Sequence, residues 1–223
     1  MCEALTSLTC VIGERVVMDK TLPTQFAPAE RATPEQTRQQ MEYLAGVDQL
    51  NLLLDAMAEI VLVLNRQRQA VYANLRLLEF LEVTDVSQII GLRPGEVLHC
   101  QYAHEEPGGC GTSAFCRYCG AARAILTAQQ GTQSMQECLI TRESNGEVEA
   151  LDLRVQATPL KIGGQAFTVF TLTDISDEKR RLALEHVFFH DILNTASIIR
   201  GAAELMPDYD AATKDTLSEM IYK

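Results

Sequence analysis

The sequence contains 223 residues, of which 47% are hydrophobic, and its formal net charge is −11. This composition excludes wholesale disorder and indicates one good-sized domain or two small ones. The acidic balance argues against non-specific nucleic-acid binding, because such binding requires basic surface that displaces counterions. We therefore expect no nucleic-acid partner.

The sequence also lacks the features of an exported or membrane protein. No apolar run approaches the roughly 18 residues of a membrane span. Residues 1–20 lack the basic start and long apolar core of a signal peptide, because Glu14 and Arg15 interrupt their weak apolar stretch. We predict a cytoplasmic protein with no membrane partner. In that compartment, clustered members of its seven cysteines are better interpreted as metal ligands or redox thiols than as disulfides.

The N-terminal part divides into two predicted segments. Residues 1–32 contain prolines and little periodicity, which predicts an irregular segment. Residues 33–57 are predicted to be helical. Thr33 can cap the first helix, Pro34 suits its first position, and Gln36 can reach back to the cap.

Residues 58–175 alternate short strand and helix signals and are predicted to form one domain. The predicted elements are strands at 60–64 and 70–73, helices at 75–81 and 121–130, and strands at 134–141, 151–157 and 166–173. The Asn145-Gly146 pair is a strong hairpin turn. Apolar and polar residues alternate from Leu151 to Ala157, as in a half-buried strand. Residues 94–120 are rich in Gly, Cys and Pro and show no clear period.

The last segment, residues 176–223, has a different character. Its apolar residues follow alternating spacings of three and four, at Phe189, Ile192, Ala196, Ile199, Ala203 and Met206. This heptad seam suits a helix that pairs with other helices. Pro207 ends the pattern, and residues 211–223 are expected to begin a returning helix of a hairpin.

Residues 48–175 resemble a PAS domain through four motifs. Ile60–Asn65 is similar to the first PAS strand, and Val71–Asn74 to the second strand running into a short helix. Gly91 begins the stretch toward the central helices, and Asp174–Ser176 resembles the motif that leads into an output helix. The resemblance implies an α+β fold with a five-stranded antiparallel sheet and short helices, followed by a long signalling helix and a partial helical hairpin.

The helix that follows resembles the dimerisation and phosphotransfer helix of sensor histidine kinases. The motif spans Phe189–Thr195, with Ile199, Gly201, Glu204 and Leu205 downstream. By this resemblance His190 receives phosphate, Asp191 orients the ring and accepts its proton, and Asn194 positions water for dephosphorylation of the partner. Asp191 and Asn194 stand where other members carry Glu and Thr.

The kinase resemblance implies a homodimer built on a four-helix bundle, with the receiver domain of a response regulator as partner. That family binds ATP through a separate catalytic domain whose nucleotide motifs do not occur before Lys223. We therefore expect a protein-histidine kinase part that accepts phosphate at His190 but cannot take it from ATP unaided. The alternative is a surface histidine on an ordinary coiled coil.

Four cysteines are clustered in the aperiodic stretch with the spacing C-x9-C-x5-C-x2-C. They are Cys100, Cys110, Cys116 and Cys119. Four thiolates at such spacing can close a tetrahedral metal site or hold an iron–sulfur cluster. We expect these four residues to bind the metal or cofactor, with His99 and His104 as possible substitutes. The cluster falls where PAS domains usually place their ligand pocket.

Three interpretations of the cysteine cluster remain open. An iron–sulfur cluster would sense oxygen or redox state, a structural zinc would only fasten the loop, and a Cys116–Cys119 dithiol would respond to oxidants directly. Covalent haem is disfavoured because Gly120, not histidine, follows Cys119. Cys2, Cys10 and Cys138 are isolated, and Cys138 is predicted to serve core packing.

These patterns together predict the sensory and phosphoacceptor part of a cytoplasmic two-component sensor histidine kinase. The cysteine site would sense redox state or oxygen and relay the change to His190. The alternative is a PAS dimerisation or binding module with a structural zinc and no phosphotransfer. A free-standing redox enzyme is disfavoured, because no thioredoxin-like βαβ pattern surrounds the Cys-x-x-Cys pair.

Overall fold

A computed structural model describes residues 22–47, 49–144 and 147–205 of the chain. The helices are α1 (Pro34–Ala45), α2 (Leu50–Asp55), α3 (Leu75–Leu81), α4 (Pro94–Val97), α5 (Gly120–Gln129) and α6 (Ser176–Leu205). The strands are β1 (Ile60–Leu64), β2 (Ala70–Ala73), β3 (Ser134–Ser144), β4 (Glu147–Ile162) and β5 (Gln165–Asp174). Short 3-10 turns lie at Val86–Gln88, Gln101–His104 and Ala114–Arg117.

The five strands form one antiparallel sheet in the order β2-β1-β5-β4-β3. The first strand therefore lies at the centre and pairs with the last strand. Strand β1 is buried on both faces, so its residues alternate between two apolar clusters. Leu62 and Leu64 join the larger cluster under α5, whereas Val61 and Val63 join a smaller cluster with α1 and α2.

A buried asparagine ties the entry of the sheet to the first helices. The side-chain oxygen of Asn74 accepts hydrogen bonds from the backbone N–H groups of Val61 and Leu77. Its side-chain nitrogen donates to the carbonyl oxygens of Leu54 and Glu59. Asn74 thus caps α3 and joins α2 to β1 with all of its polar atoms bonded, as a fully buried amide requires.

The local predictions agree well with these elements. The predicted strands at 60–64 and 70–73 and the helix at 75–81 have the observed bounds. The capping box at Thr33 is present, with Gln36 bonded in both directions. The three later strands are longer than predicted, because their backbone ladder continues past the apolar positions.

Other predictions fall only partly on the described residues. The Asn145-Gly146 turn, Met206, and the returning helix at 211–223 lie outside them. Residues 22–32, which we call the N-terminal strap, contain neither helix nor strand, as predicted. The strap is nevertheless packed, since Ala27 and Ala29 are buried. Among the described helices, none combines the length and apolar character that a bilayer crossing requires.

Candidate cysteine cavity and phosphoacceptor helix

A cavity of about 280 Å³ lies between the sheet and the loops that precede α5. Apolar side chains of β3, β4 and β5 form its floor, and α5 forms one wall. The rings of Tyr102 and Phe115, which also line the cavity, stack with centroids 4.5 Å apart. All four predicted ligand residues line this space, namely Cys100, Cys110, Cys116 and Cys119. We call it the cysteine cavity.

Backbone contacts position the first two cysteines. The N–H of Gly95 in α4 donates to Cys110 Sγ at 3.3 Å. A Cβ atom at Gly95 would lie 2.6 Å from that sulfur, so the close approach requires glycine. Cys100 donates its N–H to the Gly95 carbonyl and forms an isolated bridge with Arg142 of β3. The short helix α4 therefore holds Cys100 and Cys110 together.

The other two cysteines flank the start of α5. Cys116 is buried in the last 3-10 turn, where its Sγ lies 3.6 Å from Ser113 Oγ. Cys119 directly precedes α5, and the N–H groups of Ala121 and Ala122 stabilise its thiolate. The start of α5 thus supplies backbone hydrogen-bond donors to the sulfur of Cys119.

A fully buried arginine joins the cysteine loop to the N-terminal strap. The guanidinium of Arg93 donates to five backbone carbonyl groups, those of Gln67, Gly108, Cys110, Ala29 and Glu30. Its burial lowers the pKa of Arg93 to about 10, although it remains charged at neutral pH. Arg93 therefore holds the backbone at Cys110 in position.

An ion pair lies beside this arginine. The Arg31 guanidinium of the strap bonds both carboxylate oxygens of Glu96, at 2.8 and 2.9 Å. Glu96 also accepts from the backbone N–H groups of Arg93 and Cys110. Burial opposes ionisation of Glu96, but Arg31 and these N–H groups outweigh it and hold its pKa below the ordinary value. The strap is thereby fastened to the same loop.

A third arginine, Arg68, is buried and lines the cavity itself. One of its nitrogens donates to the Pro28 carbonyl at 2.7 Å. Among the described residues, the only ion pair that Arg31, Arg68 and Arg93 make is the one between Arg31 and Glu96. Three guanidinium groups and one carboxylate leave two positive charges around the cavity, which favours an anionic occupant.

The cysteines differ in how readily they ionise. Burial raises the pKa of Cys100 and raises that of Cys110 to about 12. The Cys138 thiol, with the N–H groups that begin α5, lowers the pKa of Cys119 to about 6. Hydrogen bonding to Cys119 and burial raise the pKa of Cys138. Of this pair, Cys119 is therefore the thiol that ionises more readily.

The contact between Cys119 and Cys138 was not expected from the sequence. Cys138 is buried in the core cluster, as predicted, but its Sγ lies 3.4 Å from Cys119 Sγ. The two residues belong to different elements, so spacing carries no signal for this contact. All five cysteines of the described residues are free thiols.

The two histidines named as substitute ligands are not brought to the site. His99 and His104 are exposed and do not line the cavity. Within residues 22–47, 49–144 and 147–205, no three His, Cys, Asp or Glu side chains are close enough together to hold a single metal ion. The cysteine sulfurs therefore surround a space rather than a point.

The start of α6 is fastened to the sheet on the face opposite the cavity. The N–H of Ile175 donates to the Asp152 carbonyl, and the Ser176 hydroxyl accepts from the Asp152 N–H. Lys179 Nζ lies 2.8 Å from Asp152 of β4 and 2.8 Å from Glu137 of β3. The outermost strands of the cavity floor are thus in direct contact with the final helix.

The predicted phosphoacceptor residues lie together on α6. His190 is exposed, with Nδ1 3.4 Å from Asp191 Oδ1 and 3.2 Å from Asn194 Nδ2. These contacts stay within the helix, so the imidazole is open to another molecule. Among its described side chains, the helix also exposes large apolar ones at Leu182, Leu184, Val187, Phe188, Phe189, Ile192, Leu193, Ile198 and Ile199.

Comparisons with solved structures return PAS and LOV domains at low identity. The PAS domain of an HTR-like protein from Haloarcula marismortui aligns at 15% identity and TM-score 0.37, over 63% of this chain and 99% of that chain. The PAS domain of nitrogen regulation protein NR(II) from Vibrio parahaemolyticus aligns at 15% identity and TM-score 0.39, over 56% and 96%. A Rhodobacter sphaeroides LOV protein aligns at 14% identity and TM-score 0.40, over 63% and 68%.

No family model and no curated protein matches this sequence. The fold assignment rests on the chain's own topology. A five-stranded antiparallel sheet in the order β2-β1-β5-β4-β3, with short helices between β2 and β3, is the PAS arrangement. The predicted PAS fold with a long following helix is thereby confirmed.

Proposed function

We propose that this chain is the sensory and phosphoacceptor part of a sensor histidine kinase, in which the cysteine cavity holds an iron–sulfur cluster. The observation that carries the proposal is the convergence of Cys100, Cys110, Cys116 and Cys119 on one cavity. When bound, such a cluster supplies a change of oxidation state that responds to oxygen or redox poise.

The charge around the cavity supports this occupant. A cluster or metal held by four thiolates carries net negative charge, and the surrounding arginines leave two positive charges uncompensated. Arg68 faces the cavity and can balance that charge directly. The N–H groups of Gly95 and of the first turn of α5 donate to sulfur, which stabilises thiolates further.

The arrangement of the sulfurs favours a cluster over zinc. A tetrahedral zinc site draws its ligands within about 2.3 Å of one point. A cluster inserts several iron and sulfide atoms between the thiolates and so accepts ligands that surround a cavity. The four cysteines line a cavity of about 280 Å³, and their side chains do not meet at one point. This arrangement suits a cluster better than a single zinc ion.

The relay to the output helix is supported by contacts at the far face of the sheet. Gly120, next to Cys119, packs against the backbone of Glu137, where a Cβ atom would overlap the carbonyl oxygen. Glu137 in turn pairs with Lys179 of α6. A shift at the cluster would therefore move the start of α5, strand β3 and α6 together.

The cofactor proposal is tested by anaerobic purification of the whole chain, followed by visible absorption and by iron, zinc and sulfide analysis. We expect iron and acid-labile sulfide in the wild type and their loss in Cys110→Ser. The matched control Cys138→Ala, which removes a thiol outside the cavity lining, should keep them. A colourless protein with zinc would favour the structural-metal alternative instead.

We propose that His190 is the phosphoacceptor and that α6 pairs with a second copy to form the bundle that presents it. Support comes from the exposed imidazole, flanked by Asp191 and Asn194, and from the apolar residues around it. Incubation with ATP and a separate kinase catalytic domain should label the chain. His190→Gln should abolish the label, whereas His186→Gln, one turn earlier and also exposed, should retain it.

A second candidate function is a PAS binding module with a structural metal and no phosphotransfer. The long helix with its exposed apolar side chains would serve that role equally well. Metal bound without iron, together with equal labelling of the His190→Gln and wild-type chains, would favour it. A receiver domain that accepts phosphate from His190 would contradict it.

A further inference from the structure

Cys119 and Cys138 form a second reactive feature, which shares Cys119 with the four cavity cysteines and adds a cysteine that does not line the cavity. Their sulfurs lie 3.4 Å apart, in van der Waals contact, although the residues are 19 positions apart. Cys119 lines the cavity, whereas Cys138 lies behind it on β3 and does not. Cys116, the nearest cysteine in sequence, instead has its sulfur beside Ser113 Oγ.

We propose that Cys119 and Cys138 are a redox-active thiol pair that closes to a disulfide when peroxide reaches the cavity and Cys119 is not bound to metal. Closing the bond shortens the sulfur separation from 3.4 Å to about 2.05 Å. Cys119 is the attacking residue, because it is the one open to the cavity. Cys138 is the resolving residue, because it is buried against Cys119 alone among the described cysteines.

The chemistry balances with hydrogen peroxide as the oxidant. The Cys119 sulfur attacks one peroxide oxygen, the O–O bond breaks, and a sulfenic acid and one water form. The Cys138 sulfur then displaces the sulfenic oxygen, which leaves as a second water after taking up the thiol proton. Two thiols lose two electrons in total, and one peroxide is reduced to two waters.

The disulfide would change both the cavity and the link to α6. Bonding of Cys119 to Cys138 removes one of four sulfurs from the cavity, so an oxidised chain would no longer accept the cluster. It also joins the start of α5 covalently to β3, beside the Glu137–Lys179 pair. This consequence rests on the proposed function, whereas the disulfide rests only on the thiol contact.

Peptide mapping of the full chain tests the pair directly. The protein is stripped with a chelator without oxygen, treated with one equivalent of hydrogen peroxide, alkylated and digested with trypsin. Cleavage after arginine places Cys119 on residues 118–123, Cys138 on residues 124–142, and the other three cavity cysteines on residues 77–117. We expect a mass that joins 118–123 to 124–142 and that disappears on reduction.

The outcomes separate this proposal from the cofactor proposal. Cys138→Ala should lose the cross-link but keep wild-type iron content, and Cys110→Ser should lose iron but keep the cross-link. Thermal unfolding of Cys138→Ala checks that the variant is folded, and Cys138→Ser provides a second, isosteric variant. A mass that joins 118–123 to 77–117, or no cross-link in a folded wild type, would overturn the pair.

Discussion

The cysteine cavity and helix α6 are built in opposite ways. Around the cavity, Arg68, Arg93 and Cys116 are buried, and Arg93 alone makes five hydrogen bonds to the backbone. Along α6 beyond its first turns, side chains are exposed and the contacts of His190 are confined to its own helix. Within the described residues, the chain's own side chains and backbone enclose the first region, whereas the large apolar side chains of the second stay exposed.

The two halves of the proposed sensor therefore obtain their stability from different sources. The cavity is held by burial and by satisfied polar groups, so its geometry is set within the chain. Beyond its first turns, helix α6 makes few contacts with the other described residues, so the proposed pairing of its apolar residues with another helix would supply its stability. Variants in the first region should therefore unfold the domain, and variants in the second should change association.

The largest effect is expected for Arg93→Met. The substitution removes a buried cation and leaves several buried carbonyl groups without donors, which should lower the free energy of unfolding by about 3–5 kcal/mol. Urea denaturation of the full chain measures this loss. Arg76→Met is the control, because Arg76 is exposed and its ion pair is with Glu79 on the same helix. An equal effect of both variants would contradict the role given to Arg93.

A pair of glycines, one in each region, provides the next comparison. Gly120→Ala places a methyl group against the Glu137 carbonyl and should destabilise the fold by about 1–3 kcal/mol. Gly201→Ala meets nothing within 4 Å and should stabilise α6 by about 0.5–1 kcal/mol. Thermal unfolding of both variants shows whether each substitution lowers or raises the stability of the protein. Destabilisation by Gly201→Ala would indicate that a partner helix approaches closely there.

Charged residues in the seam of α6 should affect association more than folding. Replacing both Ile192 and Ile199 with Asp places two carboxylates on the apolar face, which should weaken dimerisation by about tenfold or more. Light scattering across a concentration series measures the change. Ala183→Asp lies half a turn away around the helix and should leave the dimer intact. A monomeric wild-type chain would contradict the proposed pairing.

The smallest effect on stability is expected at the link between the two regions. Lys179→Ala removes the contacts to Glu137 and Asp152, yet all three side chains are partly or largely exposed, so the fold should persist. Loading the wild-type chain with metal should slow hydrogen exchange in the first turns of α6. The same loading should slow this exchange less in Lys179→Ala. Arg181→Ala, which breaks a pair within α6, should respond like the wild type.

Local sequence patterns were sufficient for much of the fold. The apolar run at β1, the cap at Thr33 and the periodicity of α3 each depend on neighbours a few residues away. The lengths of β3 and β4 were underestimated, because a ladder of backbone hydrogen bonds continues regardless of which side chains are apolar. The short helix α4 is not predicted either, because residues 94–120 show no clear apolar period.

The candidate site likewise has one feature that the local sequence predicts and others that it does not. The spacing of the four cysteines predicts that they lie together, because a short loop keeps its residues close, and the structure places all four around one cavity. The three-dimensional packing was needed to show that Arg68 and Arg93 line that cavity, that Arg31 pairs with Glu96 beside it, and that Cys138 touches Cys119. These groups lie far apart along the chain, and packing of the strap, sheet and α5 brings them together. No local sequence pattern predicts such contacts, because they depend on strand order and burial, which are properties of the whole folded domain.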